Sequence, residues 1–164
     1  MPELTAKLRK ELGHVRIKVL PLDYVVVHLP ADVTAIPGEW YRPATTQFAV
    51  FIREPETVTL VVARRKWLRM QNLFRKFRIS ATMRIVTLET DRSRQIGRYL
   101  TAVGRILTGA GIGAVPLSSF HSDHILVPRK DLPKAVRMLR QHLAGDDMPA
   151  ARRKPALRCS RLTK

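Results

Sequence analysis

The chain has 164 residues, of which 45% are hydrophobic and 26% charged, with eight glycines; such a composition is globular, with material for one ordinary core or two small ones sharing a surface. A single cysteine, Cys159, excludes a disulfide framework and a thiolate metal site and fits a reducing, cytoplasmic compartment. The formal net charge of +17 attracts polyanions at moderate salt, but it is local: Arg64 to Arg84 holds eight basic side chains and no acidic one.

Residues 1–14 form a basic N-terminal extension in which Lys7, Arg9 and Lys10 alternate with Glu3 and Glu11; without an apolar stretch it does not read as a secretory signal. Val15 to Leu20 and Tyr24 to Leu29 are β-branched runs separated by Pro21, which predicts a strand, a bend and a second strand. Pro21 and Asp23 also break the richest apolar run, well short of the roughly 18 to 20 residues that span a bilayer, so no membrane partner is expected. Residues 30–43, with Pro37 and Gly38, read as a loop. Gln47 to Arg53 and Thr57 to Ala63 flank Glu54-Pro55-Glu56 and predict a hairpin. On a helical wheel, Arg64 to Arg78 puts Trp67, Met70, Leu73, Phe74 and Phe77 on one arc and Arg65, Arg69 and Lys76 opposite, predicting an amphipathic basic helix. It reads either as a helix packing its aromatic stripe on the sheet, or as a polyanion-binding face in which Arg64, Arg65, Lys66, Arg69, Arg75 and Lys76 contact nucleic acid without sequence preference.

Met83 to Leu88 predicts a strand. Ile96, Tyr99, Leu100, Val103, Ile106, Leu107 and Ala110 then recur at helical spacing until Gly109 and Gly111 stop the helix. Ile112 to Leu117 and Ile125 to Val127 predict strands around a polar turn, Ser118 to His124, and Asp131 can cap a helix striped by Leu132, Ala135, Val136, Leu139 and Leu143. The order β, α, β, β, α is a split βαβ unit lacking its last strand. We expect Val15 to Leu20 to supply that strand and so to lock the two halves together. The residues from 146 to 164 are basic with little to bury and are expected to be disordered.

Motifs for catalysis are missing: there is no Gly-rich phosphate loop, no His-Glu-x-x-His and no Gly-x-Ser-x-Gly, so a non-enzyme requiring no cofactor is expected. His121, Asp123 and His124 are the one tight cluster of metal-capable side chains. On an extended strand, however, His121 and Asp123 share a face that His124 leaves, so no metal site is expected. The cluster reads either as a hairpin turn whose Ser and Asp side chains cap backbone groups or as a ligand-recognition turn.

The run from Gly109 to Pro128, GAGIGAVPLSSFHSDHILVP, preceded by a strand and a helix, resembles the ACT-domain family, in particular the tandem-ACT proteins related to the cytosolic arginine sensors of eukaryotes and their bacterial and fungal relatives. Gly111, Ile112, Ser118, Ser119, Phe120, Asp123, Ile125, Leu126 and Val127 carry the resemblance. Ile17 to Leu20, Val25 to Leu29 and Phe48 to Val62 look like a degenerate first unit, extending the likeness over residues 15–143. The resemblance implies an α+β fold of tandem ferredoxin-like ACT units (βαββαβ), with antiparallel sheets and helices on one face. It implies domains at 15–79 and 80–145, and a non-enzymatic sensor that binds an amino acid or similar metabolite between units. Carried over, the effector site comprises Thr90, Asp91, Ser93, Ile96 and Gly97 in the loop after the first strand, faced by Gly111, Ile112, Gly113, Ser118, Ser119, Phe120 and Asp123. The sequence departs from the pattern at Arg92, Arg94 and Arg98, which either favour a more anionic effector or are solvated.

ACT units commonly pair, so a homodimer is expected. Two other readings stand beside the sensor: a nucleic-acid-binding protein acting through the basic helix and tail, and a structural subunit docking an acidic protein partner. An RNA-recognition sheet needs exposed aromatics on its central strands; Met83 to Leu88 and Ile112 to Leu117, read as central, contain none.

Overall fold

The computed structural model describes residues 15–32, 48–89, 96–119 and 122–143, with backbone alone for 96–99. Among these residues eight strands form one antiparallel sheet: β1 (Arg16–Val19), β2 (Tyr24–Pro30), β3 (Val50–Arg53), β4 (Thr57–Ala63), β5 (Arg78–Ile79), β6 (Met83–Glu89), β7 (Val115–Ser118) and β8 (Asp123–Pro128). Three helices accompany them: α1 (Arg64–Met70), α2 (Ile96–Gly109) and α3 (Leu132–Leu143).

The strand order β3-β4-β2-β6-β8-β7 places the first strands of the two halves, β2 and β6, side by side at a single pair, Tyr24 opposite Met83. Beyond that pair, β1 lies along β6 from Arg16 opposite Glu89 to Val19 opposite Val86, and β5 lies along β2. Each half is therefore completed by the short strand that precedes the first strand of the other half. The expectation that residues 15–20 fill the missing edge is met, and β5 returns the exchange. Matching backbone bonds mark the internal symmetry: Arg64 N–H donates to the Asp23 carbonyl at 2.8 Å and Arg129 N–H to the Thr82 carbonyl at 2.9 Å, the same position in each half.

Period-two alternation decides what each face buries. Val25, Val27, Leu29, Val58, Leu60 and Val62 face Trp67 and Phe74 in one core. Val86, Leu88, Ile125 and Val127 face Val103, Ile106, Leu107, Ala135, Leu139 and Leu143 in the other, joined by Val15. Tyr24 and Met83 face away from both, so all three helices lie on one side of the sheet. The helix-free side is also buried at its centre, by Tyr24, Val61, Met83, Ile85 and Leu126 with Phe48 and Leu117 packed on them. No helix among the described residues is long and apolar enough to cross a membrane.

Two predicted elements come out differently. The basic helix expected over residues 64–78 is α-helical only to Met70, continues as a single 3-10 turn over Gln71–Leu73 and is extended at Phe74. Its N-terminus has no side-chain cap and no acidic residue in the first turn, and Arg65 and Arg69 repel at i, i+4. What ends it is packing: the chain turns so that Phe74 stacks on Trp67 at a centroid distance of 5.4 Å and Phe77 meets the indole edge-on at 5.0 Å. The residues that follow then pair with β2. Leu73, assigned to the apolar arc, is consequently 67% exposed. The strand expected over residues 112–117 begins only at Val115 and lies at the sheet edge, with Pro116 tolerated there because an edge strand can forgo a ladder donor. Residues 110–112 are used instead to end α2. Gly111 adopts φ +70°, its N–H bonds the Thr108 carbonyl, and the Ile112 N–H bonds the Leu107 carbonyl, both at 2.9 Å. This is a Schellman stop, and Ile112 and Leu107 share the core beneath it. The residues expected to be a disordered tail, and the N-terminal extension, lie outside the described residues.

Candidate functional site

Ser118 and Ser119 at the end of β7 are tied to Ser122 and Asp123 at the start of β8. The Ser119 N–H bonds the Ser122 carbonyl at 3.0 Å, the Ser119 hydroxyl donates to the same carbonyl at 2.8 Å, and the Ser122 N–H donates back to the Ser119 hydroxyl at 3.2 Å. Serine side chains thus satisfy the turn's own backbone, as such turns require.

Asp123 opens β8 opposite Leu88 on one side and Ser118 on the other. It shares its face with Ile125 and Val127, the helix side, and is only 4% exposed. Its Oδ1 accepts a hydrogen bond of 2.7 Å from the Ser118 hydroxyl. A carboxylate held at the end of two strands, beside the strand end that leads into α2, is a fixed acceptor for an ammonium or guanidinium group. His124 leaves the strand on the opposite face. There its Nδ1 is 3.0 Å from the Thr87 hydroxyl, its Nε2 is 3.5 Å from that of Ser119, and its ring packs against Phe48 at 4.6 Å. Phe48 in turn meets Tyr24 edge-on at 6.0 Å. Burial lowers the His124 pKa from 6.5, a shift that the neighbouring Asp123 carboxylate partly opposes. Burial raises that of Tyr24 above 10.0, with Arg65 and Arg84 acting against it.

The structure separates the residues carried over from the resemblance. Thr90, Asp91, Ser93 and Phe120 lie outside the described residues. Ile96 and Gly97 form the first turn of α2, at the end of the sheet that also holds Ser118, Ser119 and Asp123. Gly111, Ile112 and Gly113 stand at the other end of α2, about 21 Å along its axis. Within one copy they do not join the Asp123 end, and Ile112 is a buried core residue. Of the basic positions, Arg64, Arg65, Lys66 and Arg69 lie on α1 while Arg75 and Lys76 follow it in a bend; all but the half-buried Lys66 are exposed.

A second cluster was not singled out from the sequence. Asp23, between β1 and β2, accepts from Arg129 Nη1 at 2.9 Å and lies 3.9 Å from Arg84 Nε. The one sequence signal was an acidic residue interrupting an apolar run; its partners lie far along the chain.

The ACT domain family model matches residues 78–141, from β5 into α3. Among solved structures, a Vibrio cholerae protein of unknown function, described as a possible transport protein, superposes with a TM-score of 0.63 at 23% identity over 84% of this chain and 96% of its own. A protein from Agrobacterium tumefaciens superposes with a TM-score of 0.63 at 21% identity, over 80% and 90%. The ligand-free regulatory subunit of aspartate kinase from Thermus thermophilus gives 0.56 at 10% identity, over 78% and 95%. No curated protein matches the chain. These likenesses establish the fold: α+β, built of ferredoxin-like ACT units.

Proposed function

We propose that this chain is a non-catalytic, cytoplasmic regulatory protein that binds an amino acid or a related small metabolite at the Asp123 end of its second ACT unit. The proposed units are 15–79 and 80–145. The observation that carries this reading is the buried Asp123 carboxylate, oriented by Ser118, at the strand end beside the start of α2 within the span that matches the ACT domain. An effector ammonium group would bind Asp123, and its carboxylate would meet the backbone N–H groups that begin α2 at Ile96 and Gly97. Thr90, Asp91 and Phe120 would complete the wall. Because Gly111 to Gly113 stand at the far end of α2, their contribution would come from a second copy, in keeping with a homodimer. The aspartate kinase regulatory subunit among the fold neighbours supports a role in relaying effector binding to a protein partner. The resemblance to the arginine sensors rests on the sequence pattern over residues 15–143, above all on 109–128.

The test is a thermal-shift screen of the twenty amino acids on the full chain and on Asp123→Ala, in about 0.3 M salt to screen charge-driven binding. A rise with one or a few amino acids that disappears in the variant is expected. No rise with any of them overturns the reading. The nucleic-acid alternative has one observation in its favour, the exposed Arg64, Arg65, Arg69, Arg75 and Lys76, and one against its base-stacking form: the central helix-free face, where such sheets stack bases, is buried here.

A further inference from the structure

Where the two halves meet, a cleft of about 380 Å3 is lined by Asp23, Arg64, Arg65, Leu68, Arg84 and Arg129. Four arginines and one aspartate line it. Arg129 and Arg64 arrive from equivalent places in the two halves, each N–H bonded to the residue preceding β2 or β6, so the internal repeat itself doubles the positive charge at the junction. Asp23 neutralises only part of it: Arg129 is hydrogen-bonded to it, while Arg84 Nε stands 3.9 Å away. That Nε is buried and has no hydrogen-bond partner among the described residues, although Arg84 Nη2 is anchored on the Leu20 carbonyl at 2.9 Å. Arg64 and Arg65 are exposed and form no ion pair among the described residues.

A buried, oriented N–H without an acceptor, beside guanidinium groups in excess of carboxylate, asks for an anion. The geometry points to a second ligand site at this junction, one that takes the oxyanion of a small metabolite, phosphate or carboxylate, with at least two negative charges. The planar forks of Arg64, Arg65 and Arg129 suit bidentate capture of such a group. The volume admits a small metabolite. Because its arginines come from both halves, the bound anion would tie α1 to β6 and to the 3-10 turn that precedes α3. The site is independent of Asp123, which lies at the far end of β8 from Arg129.

The test is isothermal titration of the full chain in about 0.15 M salt with inorganic phosphate in one arm and citrate in the other; the arm that saturates at lower concentration identifies the oxyanion. Arg64→Gln/Arg65→Gln changes two exposed side chains and should weaken saturable binding at least about 10-fold, in line with the loss of charge-assisted hydrogen bonds. The control, Arg75→Gln/Lys76→Gln, removes the same charge outside the cleft and should leave it unchanged. Equal losses in the two double variants would reduce the binding to general attraction by a basic protein and overturn the proposal, as would the absence of saturation in both arms.

Discussion

Gly111 holds φ at +70°, and a Cβ built there would meet nothing within 4 Å. The consequence of Gly111→Ala is therefore conformational, with no steric part. Placing an L side chain in the left-handed region costs about 1–2 kcal/mol, and the stiffer unfolded chain returns about 0.4–1 kcal/mol, for a net loss near 1 kcal/mol. Gly104 gives the opposite sign. It sits exposed in the middle of α2, also with open space at the Cβ position, and Ala there should add about 0.5–1 kcal/mol. Urea denaturation followed by circular dichroism should show the two midpoints displaced in opposite directions at an unchanged m-value. A neutral Gly111→Ala would mean that α2 does not depend on a left-handed stop, and a loss above about 3 kcal/mol would mean that contacts are broken. Effector affinity separates structure from function. Within one copy Gly111 is remote from Asp123, so a fall in amino-acid affinity beyond the stability loss would place it against ligand.

A fragment beginning at residue 80 lacks β1 and should remain unfolded by circular dichroism, gaining ordered structure when mixed with a fragment ending at residue 79; a stably folded fragment on its own would contradict the exchange of strands. His124 makes stability depend on pH. Above pH 6.5 the ring is neutral in both states and nothing is lost, whereas below it the unfolded chain takes up the proton first, so thermal midpoints should fall as the medium becomes more acidic. His124→Gln should flatten that slope, and an unchanged slope would assign it to other groups. Ser118→Ala deprives a carboxylate that is 4% exposed of its 2.7 Å donor and should lower stability by about 1–3 kcal/mol in urea titrations; a change within error would mean that water replaces the hydroxyl.

The second half was legible because its signals are periodic. Val103, Ile106 and Leu107, and likewise Ala135, Leu139 and Leu143, were assigned to the core from spacing and are buried. The strand supplied by residues 15–20 was legible by subtraction, since a split βαβ unit needs a fourth strand. The basic helix was misread because a wheel places Phe74 and Phe77 on the Trp67 arc if the chain stays helical; ring packing brings them there by turning the chain instead. The length of β7 was misread because β-branched Ile112 suits a strand, while the hydrogen bonds of the helix stop use it first. The Asp123 carboxylate was found by resemblance, but its separation from Gly111 depends on the direction of α2, which no local pattern records. The arginine cluster around Asp23 was invisible for a related reason: Asp23 and Arg129 are 106 residues apart, and charge counted along the chain does not show what converges in space.

The reciprocal strands also set an order of events on the ribosome. β1 is made first, yet its neighbour arrives late: the Leu20 carbonyl and the Arg84 side chain that binds it are 64 residues apart. At synthesis rates of about 5–20 residues per second, the nascent strand waits several seconds with both edges open. Arg16 and Lys18 alternate with Ile17 and Val19 along it, and charges so placed guard an unpaired strand against joining a foreign edge. Their replacement by Thr would be tolerated by the finished sheet, where both are exposed, and would surface as lower soluble yield during expression.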